Sequence, residues 1–206
     1  MHVLLINGSP HEKGCTYTAL SLVAGELNAA GITTEILNVG TKPVGGCIGC
    51  GGCAKGNGCV FGGVVNEAIE KARTADAFVF GTPVHYASAS GNMTSFLDRL
   101  AYAGGKYLAY KPAAICGSAR RAGTTATLDQ LAKYPEFFHM PLVSGSYWPM
   151  VHGSNPEQVL QDEEGCAVMK ELGRNMAWLL QCIEAGKAAG ISHPENPRRP
   201  MTNFIR

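Results

Sequence analysis

The apolar residues of this chain fall into two periods that alternate along its length, and few folds accommodate that alternation. Val3 to Ile6 is a short, continuous apolar run of the kind a buried strand shows. After the turn Asn7-Gly8-Ser9-Pro10, the residues Leu20, Val23, Ala24 and Leu27 recur at i, i+3, i+4 and i+7, which is one helix face. The pattern then repeats. Thr33 to Val39 reads as a second strand, Val65, Ala68, Ile69 and Ala72 as a second helix, and Ala77 to Phe80 as a third strand. Phe96, Leu97 and Leu100 mark a third helix, Ala113 to Cys116 a fourth strand, and Leu128 with Leu131 a short fourth helix. A weaker fifth strand is expected near Leu142. Met169, Leu172, Met176, Leu179, Leu180 and Ile183 would form the buried face of a long last helix that weakens at Gly186 and Gly190. His193 to Arg206 reads as an irregular tail. Strands alternating with helices predict βαβ units around a parallel sheet, in an α/β, three-layer, doubly wound arrangement. Ligands of such sheets bind beyond the carboxyl ends of the strands, so function belongs in the loops that follow them.

Composition narrows the partners. Seventeen Lys and Arg stand against 16 Asp and Glu, and no basic run has the footprint of a nucleic-acid binder. No apolar stretch approaches the ~20 residues that cross a bilayer, and Met1-His2 leads directly into the first strand with no secretion signal. The expectation is a soluble, cytoplasmic protein without nucleic-acid or membrane partners. In that setting eight cysteines point to metal, cluster or redox chemistry rather than to a disulfide framework.

The loop after the first strand, Asn7 to Thr18, is rich in glycine and hydroxyls and opens directly into a helix. Unpaired helix amides and the positive end of the macrodipole, with Ser9, Thr16 and Thr18 as added donors, suit a phosphate. An ordinary capped turn would need only one such hydroxyl. Neither Gly-x-Gly-x-x-Gly nor Gly-x-x-x-x-Gly-Lys-Ser/Thr is present here, which disfavours a dinucleotide fingerprint or a nucleoside-triphosphate loop. After the third strand comes Gly81-Thr82-Pro83-Val84-His85-Tyr86-Ala87-Ser88, placed for the second edge of a sheet ligand. Cys116 to Arg121 superficially suggests a thiol phosphatase loop, but its Cys-to-Arg spacing is too short.

The Gly8-Ser9-Pro10 loop, the Gly81-Thr82-Pro83-Val84 segment with its following aromatic, and Phe96-Leu97-Asp98-Arg99 together resemble the NADPH-dependent FMN reductases of the flavodoxin-like superfamily. The resemblance spans nearly the whole chain. It implies a flavodoxin-like three-layer α/β/α sandwich with a five-stranded parallel sheet in the order 2-1-3-4-5, occupying residues 1–190, with 191–206 as a C-terminal tail. It also implies that Ser9, His11, Cys15 and Thr16 surround the FMN phosphate and that Pro83, Val84, His85, Tyr86 and Ser88 line the isoalloxazine ring. Gly117, Ser118 and Ala119 would complete the pocket. His85 departs from the family, which often has a second aromatic there. No catalytic side chain is required, because a flavin carries the electron chemistry and the protein supplies binding and electrostatics. Arg120 and Arg121 read either as contacts for a nucleotide phosphate or as a solvated pair. Tyr147, Trp148 and His152 read either as a flavin cover or subunit contact or as packing.

Cys47, Cys50, Cys53 and Cys59 follow at x2, x2 and x5 spacing in a glycine-rich loop, which lets four sulfurs converge on one centre. The motif resembles that of the iron-sulfur flavoproteins of the same superfamily, and so implies a [4Fe-4S] cluster near FMN. Zinc, a dithiol/disulfide pair and free thiols remain open as alternatives. Cys15, Cys116, Cys166 and Cys182 read as scattered structural residues. The resemblance thus implies an NAD(P)H-dependent FMN reductase that passes electrons to a quinone, flavin, metal ion or ferredoxin, as a homodimer or homotetramer. A non-enzymatic electron-transfer flavoprotein serving ferredoxin-like partners, and a thiol-based redox or metal sensor, are the competing readings.

Overall fold

A computed structural model describes residues 1–196 and 201–202 of the 206-residue chain. Its strands are β1 (His2–Asn7), β2 (Thr33–Asn38), β3 (Ala77–His85), β4 (Ser88–Ala89), β5 (Ala113–Ala119) and β6 (Met150–His152). The helices are α1 (Cys15–Ala29), α2 (Val64–Thr74), α3 (Gly91–Gly104), α4 (Thr124–Phe137), α5 (Pro156–Gln161) and α6 (Glu163–Ala188). Five strands pair in parallel in the order β2-β1-β3-β5-β6, and β4 folds back antiparallel on the end of β3. With β4 set aside, this is the expected 2-1-3-4-5 order.

Alternation along each strand divides the core in two. Leu4, Ile6, Phe78, Phe80, Ala113 and Ile115 face α2, α3 and α4. Val3, Leu5, Ala77, Val79, Ala114 and Cys116 face α1 and α6. Both faces are covered, so these strands read as continuous apolar runs rather than as alternating ones. On the second face α6 lies against α1, and Gly173 marks the contact: a Cβ there would sit 2.7 Å from the Val23 carbonyl oxygen and 2.8 Å from Glu26 Cβ. Val168, Met169, Leu172, Met176 and Leu180 form the buried face of α6, with Leu179 and Ile183 only half-buried.

Three expectations are corrected. The segment near Leu142 makes only an isolated bridge to Ala113, and the fifth strand is Met150–His152. Pro141 and Pro149 have no N–H to offer the sheet and contribute their carbonyls, to Ala113 N at 2.9 Å and Gly117 N at 3.0 Å. Between them the chain leaves the edge, and α6 satisfies it: Ser146 N donates to Glu171 Oε2 at 2.9 Å and Asn175 Nδ2 to the Ser144 carbonyl at 2.8 Å. The third strand does not stop at Phe80 but runs to His85, because Gly81, Thr82 and Pro83 continue the pairing with Cys116, Gly117 and Ser118 on β5. The fourth helix is not short, since it spans Thr124 to Phe137. Of the expected tail, residues 191–196 have no helix or strand, and 197–200 and 203–206 lie outside the described residues.

Two glycines give opposite expectations. Gly25 in α1 has open space at its Cβ position, so Gly25→Ala should raise stability by up to ~1 kcal/mol through helix propensity. Gly173→Ala should lower it on balance, because crowding against a neighbouring backbone typically costs about 1–3 kcal/mol. Chemical denaturation of both variants checks the pair, and two shifts of the same sign would contradict this account of the α1/α6 contact.

Candidate functional site

The carboxyl ends of β1, β3 and β5 bring three loops together, and buried hydroxyls and amides hold them in place. Asn7, wholly buried at the end of β1, donates through Nδ2 to Asn38 Oδ1 at 2.8 Å and to the Glu12 carbonyl at 3.2 Å; its Oδ1 accepts from Ser9 N at 3.1 Å. Gly8 N donates to the Gly81 carbonyl at 2.8 Å, and Ser90 Oγ donates to the Gly8 carbonyl at 2.8 Å. Ser90 also caps α3, its Oγ accepting from Met93 N at 3.3 Å. Gly40 lies against the same loop so closely that any Cβ would collide with the carbonyl oxygens of Gly8 and Ser9.

The first turn of α1 opens into this cluster. Its N-cap, Gly14, makes no side-chain capping bond, and no acidic residue occupies the first turn. The amides therefore keep their capacity for an anion. Thr16 Oγ1 and Ser118 Oγ, both buried, share a hydrogen bond of 2.8 Å that joins α1 to β5. Ser9 is buried with its Oγ accepting from His11 N at 3.1 Å, while the His11 side chain is exposed. Cys15 Sγ donates to the Gly153 carbonyl at 3.5 Å, and burial pushes its thiol above the ordinary range, which keeps it neutral beside an anion. Ser9, Cys15, Thr16, Gly117, Ser118 and Ala119 thus belong to one assembly at the ends of β1 and β5.

Pro83, Val84, His85, Tyr86 and Ser88 form the hairpin of β3 and β4 instead. Tyr86 and Ala87 make its two-residue turn with φ of 50° and 59°, and Tyr86 is fully exposed at the tip, with His85 exposed beside it. Two non-glycine residues in the left-handed region cost about 1–3 kcal/mol each, a strain typical of ligand-contacting loops. Gln130 of α4 holds the return strand, its Oε1 accepting from Ser88 Oγ at 2.7 Å and from Ala89 N at 3.0 Å. Arg120 and Arg121, also exposed, follow β5 on the loop whose Gly123 abuts Ala87.

The four cysteines of the 47–59 segment line a separate cavity of about 250 Å3, together with Phe61, Arg99 and Tyr102. Cys47 and Cys50 are exposed, Cys53 and Cys59 half-buried, and all four are free thiols. Cys59 is pinned by Asn66, which accepts from Cys59 N at 2.8 Å and donates to its carbonyl at 3.0 Å. Gly58 precedes it with φ of 79°, a conformation a side chain would strain. Asn92 anchors the approach to this segment, accepting from Val44 N at 3.1 Å and donating to the Gly40 carbonyl at 2.9 Å. Among the described residues no three His, Cys, Asp or Glu side chains are gathered as a metal site. The donor chemistry nonetheless suits a thiolate-ligated centre: four sulfurs and no carboxylate or imidazole around one cavity, beside a buried guanidinium. To ligate one centre, Cys47 and Cys50 must turn inward, and Gly49 and Gly51, both at positive φ, flank Cys50.

A family model for NADPH-dependent FMN reductase matches residues 1–155. The chain belongs to that family. As a member of it, the protein is a flavin oxidoreductase that works through FMN. It is 27% identical over 193 residues to an iron-sulfur flavoprotein of Methanocaldococcus jannaschii, covering 89% of this chain and 100% of that one. An iron-sulfur flavoprotein of Archaeoglobus fulgidus is 29% identical over 175 residues, 83% of this chain and 86% of the relative. In fold the reductase resembles an NAD(P)H:quinone oxidoreductase from Methanothermobacter marburgensis, with a TM-score of 0.64 and 17% identity over 85% of this chain and 96% of that one. It also resembles the apo form of an NADH:FMN oxidoreductase, with a TM-score of 0.61 and 20% identity over 88% and 89% of the two chains.

Asn7, Asn66, Asn92 and Gln130 escaped the sequence reading. Asn7, Asn92 and Gln130 each reach a residue distant in sequence, and Asn66 reaches Cys59 seven positions before it, all from otherwise unremarkable positions; the one signal available was a polar residue at the buried end of a strand, and that marked Asn7 alone. Cys116 lies inside β5, where burial pushes its thiol up to about 12, so it is inert and the thiol phosphatase reading is discarded on chemistry as well as spacing. Iodoacetamide applied to the metal-free, reduced reductase at pH 8 should therefore modify Cys47 and Cys50 within minutes and leave Cys116 intact until denaturant is added. Peptide mapping by mass spectrometry checks this.

Proposed function

We propose that this reductase takes electrons from NAD(P)H and delivers them through FMN to a one-electron acceptor, with Cys47, Cys50, Cys53 and Cys59 ligating a [4Fe-4S] cluster on the exit route. The observation that carries the flavin part is the uncapped, acid-free N-terminus of α1, set among the buried hydroxyls of Ser9, Thr16 and Ser118. That combination suits a phosphate monoester. Bound FMN supplies the conversion between two-electron and one-electron transfer.

The chain's own residues divide the remaining work. Ser9, His11, Cys15 and Thr16 hold the phosphate, with Cys15 adding no negative charge. Pro83, Val84, His85, Tyr86 and Ser88 present the hairpin to the ring, and Gly117, Ser118 and Ala119 close the pocket from β5. Arg120 and Arg121 stand exposed on the adjoining loop, where guanidinium forks suit the phosphates of the nicotinamide nucleotide. The working unit is residues 1–190, assembled as a homodimer or homotetramer and carrying 191–206 as a tail. Three features support the cluster: four thiols with no carboxylate or imidazole in the cavity lining, the guanidinium beside them, and relatives named iron-sulfur flavoproteins.

Anaerobically purified protein, examined by absorption before and after NADPH or NADH and assayed for iron and acid-labile sulfide, tests both parts. The expected result is a flavin spectrum that bleaches on addition, with roughly four irons and four sulfides per chain. Bleaching without iron would remove the cluster. Bleaching only by a reduced ferredoxin would replace the enzyme with an electron carrier, and failure to bind FMN would overturn the reading. Thr16→Val should weaken FMN binding about tenfold to a hundredfold in a fluorescence titration, the range for losing one hydrogen bond to a charged group.

A further inference from the structure

Arg99 is 6% exposed, and none of the ion pairs among the described residues includes it. A guanidinium out of water without a counter-charge is strongly disfavoured, so its surroundings must supply one. Its three observed bonds say where. Arg99 Nε donates to Cys59 Sγ at 3.2 Å, Nη1 to the Gly45 carbonyl at 3.3 Å and Nη2 to the Gly62 carbonyl at 3.0 Å. Gly45 and Gly62 flank the cysteine segment on either side, so one side chain from α3 clasps both ends of the loop and aims a charged donor at its last sulfur. The Phe61 ring, 5.4 Å from Cζ, covers the guanidinium. The neighbouring acid makes no ion pair with it: Asp98 is exposed, and its Oδ1 accepts from Tyr134 Oη of α4 at 2.6 Å.

We infer that Arg99 is a positioning residue of the cysteine centre, whose charge, directed at the Cys59 sulfur, is the counter-charge for the anionic, thiolate-ligated group the loop receives. The inference rests on the proposed four-cysteine centre and goes beyond it by assigning its electrostatics to a residue that is not a ligand. A neutral thiol loop would use the clasp on Gly45 and Gly62 but leave the buried charge without a partner. Four thiolates around a divalent metal, or around an oxidised [4Fe-4S] core, carry a net negative charge, and a guanidinium at hydrogen-bond distance from one sulfur offsets part of it. A second cavity is also lined by Phe61 and Arg99, together with Lys42 and Glu67, but Glu67 pairs with Lys71 at 3.6 Å and makes no ion pair with Arg99.

Cadmium chloride titrated into the reduced, metal-free full-length protein, read by the sulfur-to-metal charge-transfer band, tests this without relying on catalysis. Wild type should bind tightly, and Cys53→Ser, which leaves three thiols, should weaken binding and diminish the band. Arg99→Gln, which keeps amide donors but loses the charge, should weaken cadmium binding by ~10–100-fold, the usual cost of removing an outer-shell partner. Arg99→Lys, which keeps the charge but loses the fork, should stay within a few-fold of wild type. Equal affinity in all three proteins, or an equal loss in both variants, overturns the inference, the second because a purely structural clasp would fail alike with either substitution. If Arg99→Gln does not fold by circular dichroism, Arg99→Lys decides alone, a loss of tenfold or more overturning the inference. A wild-type protein with no band, or one whose band Cys53→Ser leaves intact, overturns the four-cysteine centre itself and the role of Arg99 with it.

Discussion

Asn7 sits where the whole functional end of the molecule is tied together. Its amide is buried at the last position of β1, and its three hydrogen bonds join the loop that follows to Asn38 at the end of β2 and to that loop's own backbone. One residue later the Gly8 backbone bonds to Gly81 on β3 and accepts from Ser90 at the start of α3. These bonds are formed out of water, where a partner left unpaired costs ~1–3 kcal/mol, so the loops hold their positions cooperatively. The open N-terminus of α1 keeps its orientation because the backbone before it is fixed in this way.

The same logic extends to the cysteine segment. It leaves the sheet after β2 and returns at α2, and three side chains anchored in helices hold it: Asn92 and Arg99 on α3, and Asn66 on α2. Because Ser90 caps α3 and binds the loop after β1, a single helix carries the supports of both the phosphate-competent loop and the cysteine cavity. The two sites are thereby built on one rigid element, as transfer of electrons between them would require.

The parallel sheet and its helices were largely legible because apolar periodicity reports burial, and burial is what shapes each element. Val3 to Ile6 and the α1 face at Leu20, Val23, Ala24 and Leu27 could hardly be read otherwise. Legibility failed where tertiary bonds replaced apolar pattern. Gly81-Thr82-Pro83 looks like a loop, yet β5 captures it as strand. Leu142 looks like a strand, yet Pro141 and Pro149 together with Glu171 and Asn175 turn the chain away and leave the short stretch at Met150 to pair.

By itself the sequence determined the fold class, the alternation of strands and helices, and the fact that a hydroxyl-rich loop and a four-cysteine segment follow strands, because period, spacing and residue chemistry are local properties. Only the tertiary structure decided that Thr16 meets Ser118 across 102 residues, that Tyr86 stands at a strained hairpin tip, and that Arg99 of α3 faces Cys59 without an ion pair among the described residues. Those arrangements depend on which surfaces the packed helices leave facing one another. A linear pattern records that a side chain is buried or charged, but not which partner it finds.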